Sequence, residues 1–207
     1  MTAAQMKSEF LIRYDALSYG APGWEDTDIE QFLNIAQMEI VKELFAAKRY
    51  DLLTEIWDEF DTIIDSVEYA INIKKAQLPS DLLFYISSKT KLYISNPIVG
   101  DAKLYTAVNE EINMFKADQF LPKSLTDYTL FRQPKCYIEA GFLKVIVDSY
   151  ADDVLNIYVT YLRIPVNIKI TSTAVDCELN ESLHKSIVEN AVGQALRAIV
   201  GSKLKTE

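Results

Sequence analysis

Apolar residues recur at helical spacing at both ends of this 207-residue chain and at alternate positions through most of its middle. A 3.6-residue period needs a helix with one buried stripe, and a two-residue period needs a strand with one buried face. A chain that uses one period outside and the other inside is predicted to fold as α+β. Its N-terminal helices and C-terminal helix then pack as a bundle, with an antiparallel β-sheet or small sandwich between them.

The first helix spans Thr2 to Tyr19, with Met6, Phe10, Tyr14 and Leu17 on one face, and Gly20, Pro22 and Gly23 stop it. Asp26 or Thr27 is the expected cap of the second, and Asp28 and Glu30 suit its positive N-terminal end. Its stripe is Ile29, Phe32, Leu33, Ala36, Ile40 and Leu44. A third helix is expected over Tyr50 to Ile64, carried by Leu52, Leu53, Ile56, Trp57, Phe60, Ile63 and Ile64.

Alternation then begins. Tyr69, Ile71 and Ile73 alternate, as do Leu82, Phe84 and Ile86, with Leu78-Pro79-Ser80-Asp81 as the turn between. A short helix is predicted over Thr106 to Lys116, bearing Val108, Ile112 and Phe115. A hairpin follows from Lys135 to Val147 around Ala140-Gly141, and after the Asp152-Asp153 turn a long strand runs from Val154 to Ile164. Leu155, Ile157, Val159 and Tyr161 are expected on one face of that strand, Pro165 closes it, and Ile168 and Ile170 suggest one more. Asn180 caps a last helix running through Val200, with Leu183, Ile187, Val188, Ala191, Val192, Ala195 and Ile199 as its stripe. The expected division is a helical part at 1–66, a β-rich module with a short helix at 67–175, and the C-terminal helix with its tail at 176–207.

Thirty acids against 21 bases give a net charge of −9, which argues against nonspecific nucleic-acid binding. No apolar stretch is long enough to span a bilayer, and residues 1–9 carry no signal-peptide core. Cys136 and Cys177 read as reduced packing thiols of a cytosolic protein.

Chemistry is sparse. The single histidine, His184, lies in the first turn of the last helix with no nucleophile beside it in sequence, and reads as a polar helix residue rather than a general base. One His and two separated Cys exclude the usual zinc constellations, and no Gly-rich phosphate loop is present. Glu110-Glu111 and Asp152-Asp153 are the remaining carboxylate pairs, and both read as ordinary surface or turn chemistry. No catalytic, metal or cofactor site is therefore expected. Asp51 to Glu68 holds seven acids and no base; a solvated helix face is the default reading, and the sharper alternative makes Asp51, Glu55, Asp58 and Glu59 a channel wall or a face for a basic partner. Arg197, Lys203 and Lys205 form a small basic end suited to an acidic neighbour.

Several segments carry a resemblance. Phe10-Leu11-Ile12-Arg13-Tyr14-Asp15, Pro22-Gly23-Trp24-Glu25-Asp26 and Ile29-x-x-Phe32-Leu33-x-x-Ala36-Gln37 resemble the opening of small neck proteins of tailed bacteriophages. Phe131-Arg132-x-Pro134 leads into the hairpin ending at Val147-Asp148. Tyr158-Val159-x-Tyr161-Leu162-Arg163-x-Pro165 follows, and then Cys177-Glu178-Leu179, His184, Ile187-Val188 and Ala191-Val192. In this order they are similar to the ring or head-to-tail connector proteins of the crAss-like phages.

That resemblance implies a structural virion protein at the neck, made in the host cytoplasm. It implies a homo-oligomeric ring, twelvefold, stacked beneath the portal protein and touching neighbouring neck or tail rings. The ring would extend and seal the DNA channel, offer an assembly platform, and let double-stranded DNA pass without specific binding during genome ejection. Another tail or baseplate ring component is the alternative, and an enzyme with an unrecognised carboxylate site a more distant one.

Overall fold

A computed structural model describes residues 1–18, 23–63, 65–70, 73–95, 102–119, 133–147, 153–171 and 173–203. The expected stop at Gly20 and Pro22 lies outside the described residues, as do Ile64, Ile71, Phe131-Arg132, Asp148, Asp152 and Lys205. The fold is α+β, and the chain forms two compact units: Met1–Ile56 with Ile164–Glu207, and Trp57–Arg163.

The first unit is helical. It contains α1 (Ala3–Ser18), α2 (Asp26–Ala46) and α3 (Glu181–Lys203), and α3 packs against both others. α1 buries Ala3, Met6, Phe10 and Tyr14, whereas Leu17, expected on that stripe, is 59% exposed. α2 buries Ile29, Leu33, Ala36, Gln37, Ile40 and Val41. Its cap is Glu25 rather than Asp26 or Thr27: Glu25 and Asp28 form a reciprocal capping box. A carboxylate one residue earlier satisfies the same orphaned N–H groups. α3 buries Leu183, His184, Ile187, Val188, Ala191, Val192 and Ala195, and Asn180 Oδ1 accepts the Ser182 N–H at 3.1 Å. Phe10, Tyr14, Trp24 and Phe32 form an aromatic cluster with ring centroids 5.0–6.4 Å apart.

The strand suggested by Ile168 and Ile170 is only an isolated bridge, Lys169 to Val175. Side chains of α2 take the place of a neighbouring strand. Asn34 accepts the Ile168 N–H at 2.7 Å and donates to the Ile168 carbonyl at 3.0 Å, while Gln37 donates to the Val166 carbonyl at 3.0 Å. The backbone is thereby satisfied without a ladder.

The second unit is a sandwich. Its strands are β1 (Trp57–Ile63), β2 (Asp65–Ala70), β3 (Ile73–Gln77), β4 (Leu82–Ser95), β5 (Ala102–Val108), β6 (Glu110–Glu111), β7 (Lys135–Glu139), β8 (Phe142–Ile146) and β9 (Asp153–Arg163). One sheet has the order β1-β9-β4-β5 and is antiparallel throughout; the other is β2-β3-β8-β7-β6, with only β6–β7 parallel. Leu92, Val154, Ile157 and Val159 from the first sheet bury against Ala76, Cys136, Leu143 and Val145 from the second. The Ala140-Gly141 turn joins β7 to β8 as expected, with φ of 50° and 81° at its two residues, the left-handed pair that a two-residue hairpin requires. The turn at 78–81 also forms, but the strands on either side enter different sheets.

Two expected helices are replaced. Over Tyr50–Ile64 only the 3-10 turns Tyr50–Leu52 and Thr54–Ile56 form, and the remainder is β1, paired residue for residue with β9 from Trp57↔Leu162 to Ile63↔Asn156. Trp57, Phe60, Thr62 and Ile63 are strand formers, and that pairing outweighs a spacing that also fits a helix. Over Thr106–Lys116 the chain completes β5, forms the two-residue β6 and ends in a 3-10 turn, Met114–Gln119. On β9, Leu92↔Val154 follows Lys91↔Asn156, so Leu155 is an extra residue in a bulge. Ile157, Val159 and Tyr161 are buried together as expected, but the bulge turns Val154 into the core in place of Leu155, which is left 37% exposed.

Candidate assembly surfaces

The groups able to do chemistry are committed to packing. His184 is 3% exposed; its Nε2 lies 2.7 Å from the Leu179 carbonyl and its Nδ1 2.7 Å from the Met1 nitrogen. Both ring nitrogens are engaged, so the ring holds the start of α3. Cys177 is buried with its thiol directed at Gln37 Oε1, 3.3 Å away, and burial pushes its pKa up to about 11. Cys136 is buried between the sheets, and burial raises its pKa too. A neutral buried thiol is a poor nucleophile.

Cys136 belongs to a largely buried polar network. Tyr85 Oη and Ser88 Oγ are 2.8 Å apart, and both approach the sulfur, at 3.5 and 3.7 Å. Asn109 Nδ2 donates to Ser88 Oγ at 2.7 Å, Thr90 Oγ1 donates to Asn109 Oδ1 at 2.7 Å, and the Asn109 backbone N–H donates to the Ser88 carbonyl at 2.9 Å. Burial drives the Tyr85 phenol well above its ordinary value. With Ser88 and Cys136 fully buried and Tyr85 half-buried, the group is a tether: it fixes the end of β5 to β4 and links β4 to β7.

Carboxylates are placed as follows. Glu110 and Glu111 are exposed on β6, and Glu110 pairs with Lys135. Among the described residues no group of three or more His, Cys, Asp or Glu is placed to hold a metal ion. An open pocket of about 680 Å³ in the helical unit is lined in part by Glu55, Asp176, Glu178 and His184. Its four acids are engaged: Asp176 accepts the Ala3 N–H at 2.6 Å, Glu178 the Val166 N–H at 2.6 Å and Glu55 the Asn180 amide at 3.2 Å, while Glu181 lies 3.7 Å from the Met1 nitrogen.

The four candidate acids do not share one helix face. Asp51 sits in a 3-10 turn beside Arg49, whose guanidinium, 3.1 Å away, holds the Asp51 carboxyl below its ordinary value. Glu55 follows in the next turn, whereas Asp58 and Glu59 are exposed on β1, in the other unit. Arg197 is exposed on α3, Lys203 is the last described residue of that helix, and Lys205 lies outside the described residues.

A surface missed in the sequence lies on the outer face of the four-stranded sheet. Directly opposed residues share a face. One row across all four strands is Asp61–Tyr158–Lys89–Val108, and a neighbouring pair is Glu59–Thr160. The β1 side is acidic. One strand in from the other edge lies lysine, and the β5 edge itself is apolar, with Leu104 63% and Val108 51% exposed. The alternation of Leu104, Thr106 and Val108 was the available signal, hidden by the helix expected there.

The residues that carry the resemblance are largely core. Phe10, Tyr14, Leu33, Ala36 and Gln37, and likewise Ile187, Val188, Ala191 and Val192, are buried in the helical unit, while Val159, Tyr161 and Leu162 are buried on the central strand β9. No protein-family model matches the chain. The chain is similar to Ring protein 4/5 of Bacteroides phage crAss001, with 26% identity over 235 aligned positions that cover 97% of this chain and 94% of the relative. The resemblance to crAss-like phage ring proteins thus extends over nearly the whole length of both proteins.

Proposed function

We propose that this chain is a structural subunit of a phage virion ring, placed beneath the portal and extending the DNA channel towards the tail. The observation that carries the reading is the end-to-end similarity to a protein named as a ring protein, in which both the helical unit and the sandwich are covered. The role is mechanical: a closed ring forms a conduit, seals it after packaging and presents a platform to the next component. Closure needs a head-to-tail contact between two different patches of the same subunit. A net charge of −9 suits a conduit that repels rather than grips a polyanion. A twelvefold ring is the assembly we expect. The exposed acids Asp51, Glu55, Asp58 and Glu59 are candidates for a channel wall or a basic partner's face, and Arg197, Lys203 and Lys205 for contact with an acidic neighbouring ring. No catalytic step is part of the role. Among the described residues no helix is long and apolar enough to cross a membrane.

Cryo-electron microscopy of purified virions tests the proposal. The expected result is this chain in a twelvefold ring at the junction of head and tail. Density that places it in the baseplate, or virions that lack it, would overturn the reading.

A further inference from the structure

Resting on the ring reading, the two edges of the four-stranded sheet identify how copies join. Among the described residues β1 pairs only with β9, and β5 only with β4. Each edge therefore presents backbone N–H and C=O groups on its outer side. The two edges are unlike in chemistry. β1 exposes Asp58, Glu59 and Asp61 and contains no base. β5 contains one base, Lys103, and no acid, and exposes Leu104, Tyr105 and Val108. An exposed apolar edge without Pro or acid is a docking template, while an acid-lined edge resists pairing with itself.

Strand direction points the same way. β1–β9, β9–β4 and β4–β5 are each antiparallel, so β1 and β5 run opposite to one another. A second copy rotated about an axis along the strands brings its β1 beside β5 in antiparallel sense, with the same face outward. No subunit has to turn over, and the operation repeats indefinitely until it closes. Charge matches as well. Lys89 and Lys91 occupy alternate positions on β4, on the same outer face as Glu59 and Asp61. In the joined sheet they lie two strand spacings, about 10 Å, from the neighbour's acids, a distance comparable with the screening length in physiological salt. We propose that subunits join by β5 of one copy adding to β1 of the next, giving the ring a continuous β-sheet.

Cysteine pairs test this in virions, where copies occupy their working contact. Glu59 or Asp61 is replaced by Cys together with Leu104→Cys, Thr106→Cys or Val108→Cys, all at exposed outer-face positions, so melting curves should match the parent. Cβ atoms about 3.5–4.5 Å apart close a disulfide. On mild oxidation, at least one pair should lose most of its monomer band to a ladder extending beyond the dimer, and the single-site variants should form none. The native thiols, Cys136 and Cys177, are buried and keep the background low. A dimer from a β5 variant alone would show β5–β5 pairing and overturn the inference. Absence of cross-links in virions whose images show this chain in a ring would overturn it while leaving the ring reading intact. A chain found in no ring would overturn both.

Discussion

Asn109 ties the end of β5 to β4, and Asn109→Ala measures that tether. The side chain is 8% exposed, accepts from Thr90 and donates to Ser88, both at 2.7 Å. Ser88 keeps Tyr85 at 2.8 Å after the truncation, so its hydroxyl is not orphaned. The Thr90 hydroxyl, on a residue fully buried, loses its acceptor. Two net hydrogen bonds at about 0.5–1.5 kcal/mol each and one unsatisfied hydroxyl at about 1–3 kcal/mol give an expected cost of roughly 2–4 kcal/mol after partial relaxation. For a unit the size of Trp57–Arg163 this lowers the melting temperature by roughly 10–20 °C. Thr90→Val supplies the control, because it removes the group left unpaired without changing shape. The double variant Asn109→Ala/Thr90→Val should recover about 1 kcal/mol over Asn109→Ala alone. Calorimetry of the full chain and of the three variants reads both quantities. An Asn109→Ala protein that melts with wild type, or a double variant less stable than the sum of the singles, would refute the tether.

Cys177 carries a pH signature: its thiol is held neutral to about pH 11 in the fold against an ordinary value of 9.0. The folded state therefore retains a proton that the unfolded state loses, so this contribution is complete below pH 9 and is lost as pH rises through 11; Cys177→Ser should flatten the alkaline fall in melting temperature. Glu30 has the opposite sign. The Thr171 backbone N–H, joined by that of Ile170, holds its carboxyl below its ordinary 4.5. Its contribution is present above that value and is lost on further acidification, and Glu30→Gln should shrink the acid-side drop measured by circular dichroism. Deleting residues 201–207, which include Lys203 and Lys205, should leave the melting temperature unchanged and lower incorporation into virions, most at high salt; normal yield at every salt concentration would show the basic end to be idle.

Helices α1, α2 and α3 are legible in the sequence because each keeps an apolar stripe for four turns or more and needs no partner to be recognised. Residues 57–63 are not. Trp57, Phe60 and Ile63 fit a 3.6 period as well as they fit β1, and the deciding partner, β9, begins ninety residues later at Asp153. On β9 the expected face holds at Ile157, Val159 and Tyr161 and fails only at Leu155, because a single inserted residue there is invisible to any count of alternation. The acids were legible as a surface feature but not as a surface: Asp51 and Glu55 end in one unit, Asp58 and Glu59 in the other. The outer face of the four-stranded sheet needed all four registers at once, and no local pattern supplies them.

The helical unit draws on residues 1–56 and 164–203, with the whole sandwich between them in sequence. On the ribosome this sets an order. Strands 57–163 emerge as one uninterrupted segment and fold with everything they need already made. α1 and α2, synthesised first, wait for α3 with their apolar stripes uncovered. At about 5–20 residues per second the delay is on the order of ten seconds or more. Nascent chains of residues 1–179, carried clear of the exit tunnel by an unrelated C-terminal linker, should therefore protect the sandwich from protease while the first 56 residues are still cut.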